Sequence, residues 1–199
     1  MQSIFIQASL LFVSVFLIQC TASKQSNLNV HLFSGVDTEG KTVRLSDIKD
    51  VRRVALNVYS PTCVPCYKEI PTLNYLYKEY SSGNHLKFFM VVDPYLITES
   101  APTENEEAVT AKASAIMKEE TVKRKIALPV LMMKRPFQVV SGQNSTALIT
   151  GTPETLLFKT DPLILYYNFI GAVSEKEKEE EIAADSKVKF FKSIAGAPK

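Results

Sequence analysis

Two cysteines stand three positions apart in the sequence Cys63-Val64-Pro65-Cys66. They follow an apolar, β-branched run and precede a segment in which apolar residues recur at helical spacing. This placement puts the first thiol at the N-terminus of a helix, where unpaired backbone N–H groups and the helix dipole stabilise a thiolate. The two intervening residues bring the sulfur atoms within bonding range, so the pair can cycle between a dithiol and a disulfide. Pro65 fits this position because the first helical turn does not need its N–H group.

A zinc half-site and a purely structural disulfide are the two other interpretations of this pair. Zinc needs about four ligands, and beyond the pair the chain offers only Cys20, His31 and His85, none of them at ligand spacing. A structural bridge across two residues closes a very short loop and therefore stabilises a fold little. The redox interpretation is favoured, and we expect neither a metal nor another cofactor.

Strands must hold this pair in place, and the hydrophobic pattern predicts seven of them. Residues 53–59 and 86–92 are nearly continuous apolar runs, which is typical of strands buried on both faces of a sheet. The first two strands are expected to form a hairpin around a turn at residues 37–40, and the last two form another. The predicted strands are residues 30–33, 42–45, 53–59, 86–92, 128–133, 154–159 and 163–169.

Helical spacing of apolar residues predicts three helices, at residues 64–80, 106–125 and 174–195. In the second helix the packed face is expected to carry Ala108, Ala111 and Ala115. The third helix is expected to begin with a capping box formed by Ser174 and Glu177.

The remaining segments are expected to be irregular, with a loop at residues 95–105 and a surface excursion at residues 134–146. The alternation of strands and helices, with a hairpin at each end of the series, predicts an α/β sandwich.

The segment at residues 57–71, NVYSPTCVPCYKEIP, resembles the active site of the membrane-tethered, thioredoxin-like thiol-disulfide oxidoreductases of the bacterial cell envelope. This is the TlpA-like redoxin branch of the AhpC/TSA proteins, which is associated with cytochrome c maturation. The resemblance includes residues 40–47 and Thr152-Pro153. Over residues 30–195 the order of the predicted strands and helices also resembles that of the family. It implies an α/β, thioredoxin-like three-layer sandwich with a central mixed sheet and an N-terminal hairpin extension.

The resemblance also implies roles for individual residues. Cys63 would be the exposed nucleophile and Cys66 the resolving thiol. Thr152-Pro153 would carry a cis peptide bond against the disulfide, and Thr152 and Pro65 would contact the substrate. Cis bonds are essentially confined to X-Pro, and a proline directly before a buried strand cannot simply continue the ladder. An ordinary trans turn is the alternative.

Glu69 lies one helical turn beyond Cys66, so it can approach the redox face and tune the thiols or relay a proton. The alternative is a solvated surface carboxylate. Thioredoxin itself has a buried aspartate where this chain has Asn57, which leaves Glu69 as the nearest acidic candidate.

The N-terminal residues resemble a segment that directs a protein to the membrane or the cell exterior. Residues 4–18 carry no charge and are too few for a span, which needs ~20 apolar residues, but they match the length of a signal-peptide core. The run Leu17-Ile18-Gln19-Cys20 resembles the lipobox of bacterial lipoproteins, which implies lipidation of Cys20. An ordinary signal peptide and an uncleaved anchor are the alternatives. The expected organisation is a signal peptide at residues 1–19, a tether at 20–29 and a thioredoxin-like domain at 30–199.

We therefore expect a thiol-disulfide oxidoreductase of the bacterial envelope that exchanges electrons with cysteine-containing envelope proteins. A membrane electron donor or acceptor would serve the redox pair, and Cys20 would hold the protein at the membrane. A different class is a tethered binding or metal-holding module whose thiols are incidental. The 46% hydrophobic and 22% charged residues are ordinary for a globular protein. A net charge of +2 without a basic cluster excludes nucleic acid as the expected partner.

Overall fold

A mixed seven-stranded sheet forms the centre of the computed structural model, which describes residues 33–133 and 151–196. The strand order across the sheet is β2-β1-β5-β4-β3-β6-β7. The strands are β1 (Ser34–Asp37), β2 (Thr42–Arg44), β3 (Arg53–Val58), β4 (Leu86–Val92), β5 (Val130–Met132), β6 (Glu154–Thr160) and β7 (Leu163–Ile170).

The interior of the sheet is built from the most apolar strands. β4 is parallel to β3 and to β5, whereas β6 runs antiparallel to β3, so that Asn57 lies opposite Thr155. Every residue from Val54 to Val58 is buried. The prediction of a central mixed sheet is confirmed, as is the prediction that the strand within residues 53–59 is buried on both faces.

Six α-helices and one short 3-10 helix, Leu45–Asp47, accompany the sheet in the described residues. The α-helices are α1 (Val64–Lys68), α2 (Ile70–Tyr80), α3 (Pro94–Thr98), α4 (Glu106–Arg124), α5 (Glu179–Ala184) and α6 (Ser186–Ala195). The predicted helix at residues 64–80 is thus two consecutive helices, with Glu69 as the residue between them. Pro71 stands at the start of α2, where a missing N–H group is tolerated.

Apolar side chains cover both faces of the sheet. On one face, α2, α4 and α6 bury Leu73, Met117 and Phe191 against strand residues such as Met90. On the other face, Leu56 and its neighbours pack with residues that precede β1 and begin the 3-10 helix. Two apolar cores, one on each side of a central sheet, confirm the α/β class.

The N-terminal hairpin begins later than expected. β1 starts at Ser34, Phe33 precedes it, and residues 30–32 lie outside the described part of the chain. Asp37 ends β1 rather than belonging wholly to the turn, and its carboxylate accepts hydrogen bonds from the N–H groups of Glu39 and Lys41. Gly40 closes the turn at a φ of +87°.

The prediction of a continuous loop at residues 95–105 is wrong, because α3 occupies its first part. Asp93 caps this helix by accepting a hydrogen bond from the N–H of Tyr95 at 2.9 Å. Thr98 then donates to the carbonyl of Pro94 at 2.7 Å. Local side-chain bonds thus hold a single helical turn that shows no hydrophobic period.

Two details of the other helices are also wrong. Ser174 does not cap a helix with Glu177. It instead donates to Asp185 at 2.8 Å, and Asp185 is the residue that caps α6. In α4 the packed face carries Val109, Ala113 and Met117, whereas Ala108, Ala111 and Ala115 are exposed. Alanine suits an exposed helix surface as well as a core, so its spacing does not identify the buried face.

Several predictions concern residues outside the described part of the chain. They are the signal peptide at residues 1–19, the tether at 20–29 with Cys20, and the excursion at 134–146. Within residues 33–133 and 151–196, none of the helices has the length and apolar character that crossing a bilayer requires.

Candidate active site

Cys63 and Cys66 form a disulfide bond with an S–S distance of 2.03 Å. The buried strand β3 ends at Val58, and a short loop leads from it to Cys63, the N-cap residue of α1. The N–H of Cys66 donates to the Sγ of Cys63 at 3.3 Å. The first sulfur therefore lies at the start of a helix, beside a backbone donor that stabilises negative charge on it.

The two sulfur-bearing residues differ in exposure. Cys66 is 1% exposed and belongs to the apolar core between the sheet and helices α2, α4 and α6. Cys63 is only partly buried. Val64 and Pro65 beside it are exposed. An attacking group from another protein can thus approach Cys63 more easily than Cys66.

Glu69 lies three residues after Cys66, and its side chain is 0% exposed. The alternative of a solvated carboxylate is therefore wrong. The N–H of Val173 donates to one carboxylate oxygen at 2.6 Å, and the side-chain amide of Asn57 donates to the other at 3.2 Å. Burial raises the pKa of Glu69 to about 7 and outweighs these two hydrogen bonds, which act to lower it.

Asn57 connects Glu69 to the neighbouring strand. Its side-chain N–H₂ group also donates to the Oγ1 of Thr155 at 3.0 Å. Its Oδ1 atom is buried without a hydrogen-bond partner among the described residues.

The Thr152-Pro153 bond is cis, as predicted, and the trans alternative is wrong. Pro153 is buried, while Thr152 is exposed. The carbonyl of Pro153 accepts a hydrogen bond from the N–H of Gly171 at 2.9 Å, which joins this turn to the end of β7.

One cavity of about 570 Å³ brings together three of the predicted site residues, Pro65, Thr152 and Pro153. Its other walls are formed by residues 171–172 and 174–176 and by residues 185–187 at the start of α6. The segment that follows β7 therefore borders the same opening as the redox helix and the cis-proline turn.

The sequence interpretation missed Glu154, a second buried carboxylate at this site. Its side chain is 0% exposed and accepts hydrogen bonds from the N–H of Gly151 at 2.9 Å and from the amide of Asn168 at 3.0 Å. Glu154 thus bridges the cis-proline turn and β7. The available signal was an acidic residue directly after Pro153, at the start of an otherwise apolar strand.

The sequence interpretation also missed a polar cluster that joins α4 to the residues flanking the cysteine pair. Tyr59 donates to Glu120 at 2.9 Å, and the Nε of Arg124 donates to the same oxygen at 2.8 Å. The Arg124 guanidinium lies 4.1 Å from the ring centre of Tyr67. Burial, with the hydrogen bond to Glu120, raises the pKa of Tyr59. The cluster braces residues on both sides of the cysteine pair.

No group of three or more His, Cys, Asp or Glu side chains in residues 33–133 and 151–196 is arranged to hold a metal ion. The disulfide, the buried Glu69 and the backbone of the cis-proline turn are the groups that the structure places at this site.

Residues 27–94 match the model of the AhpC/TSA family. No curated protein sequence matches the chain. Among solved structures, a thiol:disulfide interchange protein of the thioredoxin family from Chlorobium tepidum TLS is 22% identical, with a TM-score of 0.50. That match covers 79% of this chain and 91% of the other.

A secreted thiol-disulfide isomerase from Corynebacterium glutamicum is 14% identical, with a TM-score of 0.53, and the match covers 81% of this chain and 80% of the other. At these identities the similarity establishes the fold. The chain therefore matches the AhpC/TSA family over residues 27–94 and has the thioredoxin-like α/β fold of thiol-disulfide oxidoreductases, with a candidate redox-active pair at Cys63 and Cys66.

Proposed function

We propose that this protein is a thiol-disulfide oxidoreductase that exchanges electrons with cysteine-containing proteins through Cys63 and Cys66. The observation that carries the proposal is the disulfide itself, with a partly exposed sulfur at a helix N-terminus and a buried partner. The match to the AhpC/TSA family and the fold shared with thiol-disulfide oxidoreductases support it.

In the oxidising direction, a thiolate of the protein substrate attacks the Sγ of Cys63. A bond forms between the two sulfurs, the Cys63–Cys66 bond breaks, and its electron pair leaves on Cys66, which takes up a proton. A second substrate thiolate then attacks the mixed disulfide and releases Cys63 as a thiolate. The substrate gains a disulfide, and the enzyme pair gains two electrons. The reducing direction is the reverse.

Glu69 is the group that we propose to exchange this proton with the thiols. Its pKa of about 7 lets it hold or release a proton near neutral pH, which suits a general acid or base. We propose that Thr152, Pro153 and Pro65 contact the substrate, a role supported by their position around one cavity.

We further propose a site of action in the bacterial cell envelope. The apolar residues 4–18 and the Cys20 that follows them support a lipid anchor, and one similar structure is described as a secreted protein. Two or more acyl chains hold a protein firmly at a membrane, whereas one chain binds only marginally. Clients would be envelope proteins, cytochrome c maturation is the proposed pathway, and a membrane protein would supply or accept the electrons.

Trapping of mixed disulfides tests the redox proposal. In full-length protein carrying Cys20→Ala, which removes the third thiol, Cys66→Ser should accumulate a mixed disulfide with an unfolded, disulfide-containing protein. Cys63→Ser should accumulate little, because the remaining Cys66 is buried.

Alkylation of the reduced pair at neutral pH should label Cys63 first. If the wild type gains and transfers no disulfide, the protein is a binding module instead.

Fractionation of cells tests the anchor separately. The wild-type protein should sediment with membranes, and Cys20→Ala should release it. Retention of the variant would indicate an uncleaved anchor, and a soluble wild type would indicate an ordinary signal peptide.

A further inference from the structure

The cavity that Pro65 and the cis-proline turn line also carries two lysines on its wall, Lys176 and Lys187. One wall is formed by Pro65, Thr152 and Pro153, and the far wall by residues 171–172 and 174–176, by Asp185 and by the first residues of α6. Lys176 and Lys187 line this far wall, and both are exposed. We call the cavity formed by these two walls the lysine groove.

The carboxylates of the lysine groove are already engaged. Glu175 forms an ion pair with Lys68 at 3.6 Å. Asp185 accepts hydrogen bonds from the Oγ of Ser174 and from the N–H of Lys187, both at 2.8 Å. Neither Lys176 nor Lys187 forms an ion pair with a carboxylate of the described residues. The charge of Lys176 acts on Asp185 and that of Lys187 on Glu69, in each case without an ion pair. A ligand in the groove therefore meets two ammonium groups that no direct ion pair holds.

The far wall is fixed in place by bonds to the redox region. Glu69, at the end of α1, accepts the N–H of Val173 at 2.6 Å. One residue later, Ser174 donates to Asp185, and the N–H of Lys176 donates to Ser174 at 3.3 Å. These bonds preorganise the segment that carries Lys176, so a ligand need not order it on binding.

We propose that the lysine groove selects protein substrates in which acidic side chains lie close to the reacting cysteine. The inference rests on the proposed redox function and names the substrate class of the same site. A substrate cysteine that reaches Cys63 brings its neighbouring residues over Pro65 and Pro153, and carboxylates in those residues complement Lys176 and Lys187. Charge complementarity of this kind raises the rate of encounter and fixes the orientation of the substrate.

Two matched peptides and two matched double variants test this inference. One peptide has a cysteine flanked by glutamates, and the other has glutamines in their place. Oxidised full-length protein with Cys20→Ala is mixed with each peptide in large excess, and loss of the Cys63–Cys66 disulfide is followed by acid quenching and mass spectrometry. Glutamates also change the reactivity of the peptide thiol itself, and the ratio of rates between enzyme variants cancels that effect.

The test variant is Lys176→Gln with Lys187→Gln, and its control is Lys178→Gln with Lys189→Gln. The control removes the same charge from exposed lysines that do not line the groove. Lys187 also acts on the pKa of Glu69. A change in rate that comes from Glu69 affects both peptides, so the rate measured with the glutamine peptide corrects for it.

The groove variant should lose about 5–20-fold in its preference for the glutamate peptide at low ionic strength, as expected for two exposed ion pairs. The control should keep the preference of the wild type within about twofold, and high salt should weaken that preference. An unchanged preference in the groove variant, or an equal loss of preference in the control, would overturn the inference. The redox proposal would still stand in that case, because both variants would continue to exchange disulfides with the peptides. Failure of the wild type to react with either peptide overturns the proposed redox function as well.

Discussion

Replacing Glu69 by glutamine should change how the stability of the protein depends on pH. In the folded protein this carboxyl group is 0% exposed and its pKa is raised to about 7, chiefly by burial. In the unfolded chain the same group titrates near its ordinary value of 4.5. The folded state therefore binds this proton more tightly than the unfolded state does.

The sign of the effect follows from that difference. Between the two pKa values the folded protein holds a proton that the unfolded chain has released, so the free energy of unfolding decreases as the pH rises. One pKa unit corresponds to about 1.4 kcal/mol, so a rise from 4.5 to about 7 amounts to roughly 3 kcal/mol. Most of this loss should fall between about pH 5 and about pH 8.

Urea denaturation of the oxidised protein across this range measures the effect. The wild type should lose roughly 3 kcal/mol relative to Glu69→Gln as the pH rises, because glutamine does not titrate. Glu119→Gln is the matched control, since it removes an exposed carboxylate from α4 and should follow the wild type. Parallel curves for wild type and Glu69→Gln would show that Glu69 titrates alike in both states, and our account of its burial would then be wrong.

Three further substitutions have expected outcomes. Asn57→Ala removes a hydrogen-bond donor from the Glu69 carboxylate, so the pKa of Glu69 should rise further in an NMR titration of its carboxyl carbon. Leu73→Ala, at a fully buried position of α2, should cost about 2–5 kcal/mol in the free energy of unfolding by denaturant. Tyr59→Phe removes the O–H donor to Glu120 and should cost about 1–2 kcal/mol in the same measurement.

The elements that position the site could be predicted because their patterns are local. The apolar runs of β3 and β4 are long enough to indicate strands buried on both faces, and the cysteine pair falls between β3 and a helical pattern. In α2 the large apolar residues Leu73 and Leu76 identify the buried face. In α4 the spacing of the small alanines does not identify the buried face, so the prediction made from it is wrong.

The environment of the site could not be predicted in the same way, because it depends on distant parts of the chain. Glu69 is buried by a segment that contains Val173, which is 104 positions away. Ser174 and Glu177 have the spacing of a capping box, yet Ser174 reaches Asp185 instead. A local motif gives the bonds that a side chain can make, and tertiary packing decides which of them forms.

The two outer strands of the sheet bear on the behaviour of the protein among other polypeptides. Unpaired N–H and C=O groups on an outer strand can template association with a further chain. β2 is only three residues long and carries the charged Arg44, so it offers little template. β7 is longer, but its pairing with β6 shifts register between Leu157 and Phe158, and such irregularities bend a strand. The short, charged β2 and the irregular pairing of β7 are both features that hinder the addition of a further strand at an edge of the sheet.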